Sequence, residues 1–339
     1  MAETPPSHGT VSVVIPVLNA ETYLRRLLDA IFAQEPTAPK EVVLIDSMST
    51  DRTCQIARSY ERVRILEIAD FSHGRARNLG ARAAHSEFVV LMSQDALPAD
   101  SSWLAHLLEP FGDETVAATF SRQVPCQDAP PMERFFLHTH FPPGSPVRRQ
   151  RGSEPLTLER VFFSNVSSAI RRELLLEYPF DEELIMSEDQ QWARDVIDAG
   201  FATVYQPSSV VVHSHNYTLR SLFRRYFDSA YSLTKIFPAH GIGKSASTGT
   251  RYLRREIRFM LEHHPIRVPY YALYSFARSM GTFCGHFAEE IPPALARRLS
   301  FHPYHWTRAP SAATSTITTC RNAELRAGAR QPPGSALAP

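Results

Sequence analysis

Acids, histidines and arginines recur in this sequence where apolar runs stop, a placement that can handle a phosphorylated ligand. Asp95 follows the run EFVVLM within MSQDALP. A lone carboxylate at the end of a buried strand can hold a hard cation that bridges two phosphates, which suits Mg²⁺ or Mn²⁺. Gln94 precedes it and adds no charge, so substrate phosphate, water and a histidine from elsewhere are the ligands that can complete the shell. His213 or His215 in VVVHSHNY can do so, and both lie on one face if the strand runs through them.

Asp46 ends the run EVVLID and is followed by Ser47; its carboxylate can accept the imide N–H of a pyrimidine. Asp51, two residues before Thr53, reads instead as a helix cap. Pro16, Val17 and Asn19 follow the first apolar run, and Glu21 opens the next helical pattern. The segment FSHGRARNLGA gathers His73, Arg75, Arg77 and Asn78 at a helix entrance, where arginines and free N–H groups receive phosphate. In MSEDQQWARDVIDAG, Ser187 reads as the cap and Gln190 as the closing member of a capping box. Glu188 and Asp189 then occupy the first turn. There they compensate the helix dipole, or one of them serves as a general base for an attacking hydroxyl. Trp192 reads as core.

The elements that must position these residues alternate. VSVVIP, EVVLID and VRILEI are separated by helical patterns over residues 21–34 and 51–60. A helix over 74–85, a strand over 87–92, a helix over 101–110 and a strand over 115–120 follow. Such βαβ repetition with nearly all-apolar strands predicts a mostly parallel sheet covered on both faces. Ligands of such sheets sit beyond the carboxyl ends of the strands, where the residues above fall. Neither GxGxxG nor GxxxxGK[ST] is present, which removes the motif support for dinucleotide and P-loop sites. Residues 125–159 are loop-rich and carry Arg148, Arg149 and Arg151, a lid candidate or a solvated basic loop. A strand pair, FATVYQ and SVVVHSH, precedes a helical stretch to about residue 299.

Thirty-six Lys and Arg against 35 Asp and Glu give no field favouring nucleic acid. The four cysteines form no CxxC pair, so neither a zinc site nor a disulfide framework is expected. No leader pattern opens the chain and no apolar run reaches membrane-spanning length, so a cytoplasmic location is expected.

Together, VVIPVLNAE, VLIDSMSTDRT, FSHGRARNLGA, LMSQDALP, SEDQQWARDVIDAGF and VVVHSHNY resemble family 2 of the glycosyltransferases over about two thirds of the chain. The resemblance implies the GT-A fold: an α/β, mostly parallel central sheet with flanking helices, here with a helical C-terminal region. It implies a nucleobase contact at Asp46, a nucleotide contact near Arg77, a metal at Asp95, and Asp189 as catalytic base with Glu188 beside it. The nucleotide-sugar site expected on this basis comprises Pro16, Val17, Asn19, Glu21, Asp46, Ser47, His73, Arg77, Asn78 and Gln94. The implied reaction is inverting transfer from a nucleotide sugar to a saccharide or lipid-linked acceptor in cell-surface polysaccharide synthesis. Gln94 stands where the family carries an acid, and the QDA form with FSHGRARNLGA is most similar to rhamnosyltransferases that use dTDP-L-rhamnose. The alternatives are a UDP-hexose or UDP-N-acetylhexosamine donor, or a non-catalytic scaffold.

The expected boundaries are a flexible start at 1–10 and a catalytic domain at 11–235. Within that domain, 11–120 would bind nucleotide and 160–235 would carry acceptor and catalytic residues. A helical extension at 236–300 and a disordered tail at 301–339 would follow. Helical segments mixing Arg with Phe, Tyr and Leu suit a peripheral membrane contact or a homodimer interface.

Overall fold

The computed structural model describes residues 9–238 and 242–307. Nine strands among them form one sheet: β1 (Val11–Val17), β2 (Glu41–Asp46), β3 (Val63–Glu67), β4 (Phe88–Met92), β5 (Leu97–Pro98), β6 (Val116–Val124), β7 (Val147–Arg149), β8 (Ser167–Arg171) and β9 (Ala202–Val212). The order is β3-β2-β1-β4-β8-β6-β9-β5, with β7 also on β9. As expected, β1 to β4 run parallel. The other half is mixed: β8 is antiparallel to both β4 and β6, and β9 runs parallel to β6. The carboxyl ends of β1, β2, β4, β6 and β9 therefore share one edge.

Alternation along the strands divides the core. Val13, Ile15, Val42 and Leu44 face one layer, with Leu24, Leu27, Leu28 and Ile31 of helix α1 (Glu21–Phe32). Spacing of three and four residues puts those four side chains on one helical face. Val14, Val43 and Ile45 face the other layer, with Ala76 and Ala81 of α3 (His73–Ala83) and with Trp192. Between α1 and α3 lies the short α2 (Thr53–Ala57). Further helices are α4 (Trp103–Leu108), α5 (Pro131–His140), α6 (Leu158–Val161), α7 (Arg172–Glu177) and α8 (Glu188–Asp198).

The C-terminal helices are α9 (Leu219–Ile236), α10 (Ile242–His263), α11 (Val268–His286) and α12 (Pro293–Leu299). α11 lies closely on α9 because Gly281 and Gly285 face the backbone carbonyls of Phe223 and Phe227, leaving no room for a Cβ. Gly285→Ala should force the helices apart and lower stability by about 1–3 kcal/mol, the usual cost of overpacking. Chemical denaturation would show this as a lower midpoint with an unchanged slope.

Four sequence expectations change. The pair FATVYQ and SVVVHSH is one bulged strand, β9, whose register on β6 shifts between Ser121 and Arg122. The basic loop is an edge strand rather than a lid: β7 pairs with Thr203–Tyr205 near the start of β9, at the edge opposite the carboxyl ends. There Arg148 bonds Asp113 and Thr115, Arg149 sits over Phe120, and Arg151 pairs with Asp198. Residues 301–307 are folded, because Asp228 accepts the N–H groups of Phe301 and His302 and Trp306 packs on Tyr231. Thr10 already belongs to the sheet, its carbonyl accepting Phe88 N–H. The remaining parts of both expected flexible ends, residues 1–8 and 308–339, lie outside the described residues.

Candidate active site

Asp95, just past β4, meets His213 and His215, just past β9. One ligand atom from each lies within 4.8 Å of the others. His213 Nε2 is 3.6 Å from Asp95 Oδ1, while its Nδ1 is 2.9 Å from Gln123 Oε1. Gln123 Nε2 donates to Ser164, so its oxygen is the acceptor for His213. The proton is thereby held on Nδ1, and the Nε2 lone pair is turned toward Asp95. Burial is the largest cause holding the His213 and His215 pKa values low, which keeps both rings neutral and able to ligate. One carboxylate and two imidazoles fit a divalent ion that accepts nitrogen ligands.

A second cluster lies at the start of α8. Arg77, on α3, forms a buried ion pair with Glu188. Asp189 Oδ2 accepts the N–H of Asn165. One residue further on, the Val166 carbonyl accepts Ser93 N–H, which ties this cluster to the strand end carrying Asp95. Burial, then the Glu188 carboxylate, pushes the Asp189 pKa up to about 7 against the opposing charge of Arg77. The helix does not start as its sequence suggests. Ser187 has φ +64° and caps with no side-chain bond, and the Gln190 amide turns inward to the backbone of Phe163. Left-handed backbone at a residue other than glycine is a strained entry to the turn that carries both acids. Trp192 is core, as expected, and donates to the Tyr178 carbonyl.

The nucleotide residues separate into two groups. Asp46 is buried at the end of β2 and accepts Ser49 N–H, while the neighbouring Ser47 hydroxyl is buried without a partner. Arg77 Nε is likewise unpartnered. These groups retain capacity for a ligand. Asn19, Glu21, Asn78 and Gln94, by contrast, spend their polar atoms on the fold. Asn19 receives Thr50 N–H and Glu21 pairs with Arg52. Asn78 clamps Phe180 through both amide atoms, and Gln94 bonds both backbone groups of Leu18. A glutamate or aspartate at 94 could not donate to the Leu18 carbonyl. Asp51 caps as expected, accepting N–H groups from Thr53 and Glu21. Val17 is buried in β1 and the partly buried Pro16 pairs in register with Ile45, so these two shape the strand end.

Several residues here escape sequence reasoning because their partners are remote in the chain. Gln123 is one, separated from His213 by 90 positions. Arg225 of α9 is another: its guanidinium lies 5.5 Å from the Tyr217 ring centre, and among the described residues no carboxylate pairs with it. Tyr217 in turn lies 4.9 Å from the His215 ring, which sets Arg225 on the side of the Asp95–His213–His215 cluster. Burial holds His73 down to about 3, so it stays neutral, and its ring meets His302 edge-on at 5.4 Å. The folded segment 301–307 thus closes one side of the site.

The model for "Glycosyl transferase family 2" matches residues 12–178. An O-antigen chain rhamnosyltransferase of Salmonella typhimurium is 33% identical over 301 residues, covering 87% of this chain and 96% of that protein. A second O-antigen chain rhamnosyltransferase, from Salmonella anatum, is 31% identical over 87% of this chain and 95% of its own length. Among solved structures, a mannosyltransferase from Pyrobaculum calidifontis in complex with GDP-Man and Mn²⁺ superposes with a TM-score of 0.53 at 18% identity, covering 95% of this chain and 82% of that one.

Proposed function

The chain belongs to glycosyl transferase family 2, and from that premise we propose that Asp189, Glu188, Arg77, Arg225 and the Asp95–His213–His215 cluster carry its inverting transfer of a sugar from a nucleoside diphosphate to an acceptor hydroxyl. The observation that carries the reading is the convergence of a half-buried carboxyl of raised pKa with a metal-ligating triad at one sheet edge. Asp189 takes the proton of the acceptor hydroxyl as its oxygen bonds to the anomeric carbon. The bond to the diphosphate breaks with its electron pair leaving on phosphate oxygen, and the configuration inverts. A divalent cation on Asp95, His213 and His215 would neutralise charge on that leaving group. Glu188, bound to Arg77, holds the first turn of α8 and sets the field around Asp189.

Arg225 lies over Tyr217 beside the triad with no carboxylate at ion-pair distance among the described residues, so it is assigned to the departing diphosphate. Arg225→Ala should slow transfer by about 10²-fold, with partial recovery in Arg225→Lys. An unchanged rate in the alanine variant would remove it from the mechanism.

Asp46 and Ser47 are assigned to the nucleobase, where a carboxylate recognises the imide N–H of uracil or thymine alike. That shared edge supports pyrimidine sugar nucleotides as a class, UDP-hexoses and UDP-N-acetylhexosamines included. Within the class, a rhamnose donor is supported by the two relatives matched over nearly their whole length, both O-antigen chain rhamnosyltransferases, and dTDP-L-rhamnose is the pyrimidine form proposed. Competition binding of dTDP, UDP and GDP to the metal-loaded protein, followed by turnover of the matching sugars, separates these readings. Preference for GDP would overturn the role given to Asp46. The acceptor proposed is a saccharide, free or lipid-linked.

A further inference from the structure

The hairpin of α10 and α11 leaves a large apolar surface uncovered. Ile257, Leu261, Ile266, Tyr270, Leu273 and Phe276 are all exposed, and Ile266 at the tip is 94% accessible. On α10, Arg251, Arg254, Ile257, Arg258 and Leu261 follow helical spacing along one exposed face, and on α11 Tyr270, Leu273 and Phe276 do the same. Both stripes run to the same tip at residues 265–267.

Charge decides what fits there. Residues 249–286 contain six arginines and two glutamates. Glu256 is buried against Arg278 and Glu262 pairs with Arg258, so Arg251, Arg254, Arg255 and Arg267 remain without carboxylate partners among the described residues. A second copy of this face would set arginine against arginine, whereas an anionic surface with an apolar interior complements both features. No helix among the described residues is long and apolar enough to cross a membrane, so the contact is superficial. Arg267 and Tyr270 also line a cavity of about 480 Å³ with Tyr217, Asn216 and Arg134. The Tyr217 ring that forms part of the cavity wall lies 4.9 Å from the His215 ring, so a single side chain separates the cavity from the Asp95–His213–His215 cluster.

We propose that the α10–α11 hairpin docks on an anionic lipid bilayer and opens this cavity toward the bilayer surface, so that an acceptor saccharide carried on a lipid enters from the membrane side. The cavity's part in this rests on the glycosyl-transfer reading above; the docking does not.

The test is flotation of the full chain with phosphatidylglycerol-containing vesicles and with phosphatidylcholine vesicles, on wild type, Leu273→Asp/Phe276→Asp and Arg251→Glu/Arg254→Glu. Wild type should float with the anionic vesicles at least tenfold more than with the zwitterionic ones. The arginine pair should lose about tenfold or more, since each basic residue near such a surface contributes a factor of about five. The aspartate pair should fall to background. Metal-dependent donor hydrolysis without acceptor, measured in parallel, should be unchanged in both variants, which shows them folded and tests the transfer reading separately. Vesicle binding that is absent in wild type, or equal in wild type and both variants, overturns the proposal. So does light scattering that shows a wild-type dimer dispersed by Leu273→Asp/Phe276→Asp, because a second copy would then occupy the face.

Discussion

Asp189→Asn is expected to abolish most transfer, lowering kcat by about 10²–10⁴-fold while leaving donor binding nearly unchanged. Asparagine is isosteric and can still accept the Asn165 N–H, so the turn persists while the proton acceptor is lost. The pH dependence has a definite sign. A general base works deprotonated, and burial with the adjacent Glu188 carboxylate raises the Asp189 pKa to about 7, so wild-type turnover should rise with pH through that region and fade below it. Stability runs the other way. A carboxyl whose folded pKa exceeds its unfolded value of 3.8 contributes stability that is complete below the unfolded value and lost as pH rises through about 7. The asparagine variant, which cannot ionise, should therefore be at least as stable as wild type at pH 8. Steady-state kinetics across pH 5.5–8.5 (roughly the range where such a group titrates) and thermal melts at its two ends check both statements. Undiminished kcat would transfer the base role elsewhere, and a collapsed melt would make the residue structural.

The second large effect concerns the triad. Asp95→Ala removes its sole carboxylate and should reduce metal-supported turnover by about 10²–10³-fold, the scale for losing charge stabilisation on a developing anion. Mn²⁺ binding followed by electron paramagnetic resonance should weaken in parallel. Gln123→Ala discriminates further, because its amide touches the ring of His213 and none of the ligand atoms. As a positioning residue it should lower Mn²⁺ affinity by about 10–100-fold and be largely rescued at saturating Mn²⁺. A Gln123 variant with normal Mn²⁺ affinity would show that the imidazole needs no outside help to present Nε2.

What the sequence makes legible is governed by how local the relevant physics is. Asp46 and Asp95 stand out because each ends a run of buried apolar residues, and a parallel sheet presents such ends on one edge. Asp51 is legible as a cap for the same reason, its bonds reaching Thr53 two residues away. The antiparallel strand β8 is not, since its pairing with β4 and β6 is a tertiary choice that SSAI does not encode. The basic segment around Arg148 suggests phosphate chemistry by composition, yet its partners Asp113 and Thr115 place it at the far edge of the sheet. Ser187 matches the capping pattern, but tertiary demands on Glu188 and Gln190 impose φ +64° and draw both side chains inward. Gln123, Arg225 and His302 belong to no local motif and become visible only once the C-terminal helices and the segment 301–307 close over the sheet edge.

The central claim is tested most directly by release of nucleoside diphosphate from purified full-length protein given pyrimidine sugar nucleotides, dTDP-L-rhamnose and UDP-sugars among them, with Mn²⁺ or Mg²⁺ and then with excess chelator. The expected result is release from at least one of these donors that requires the cation and returns when it is restored. Release that is indifferent to chelation, or none from any such donor with the cation present, would contradict the account.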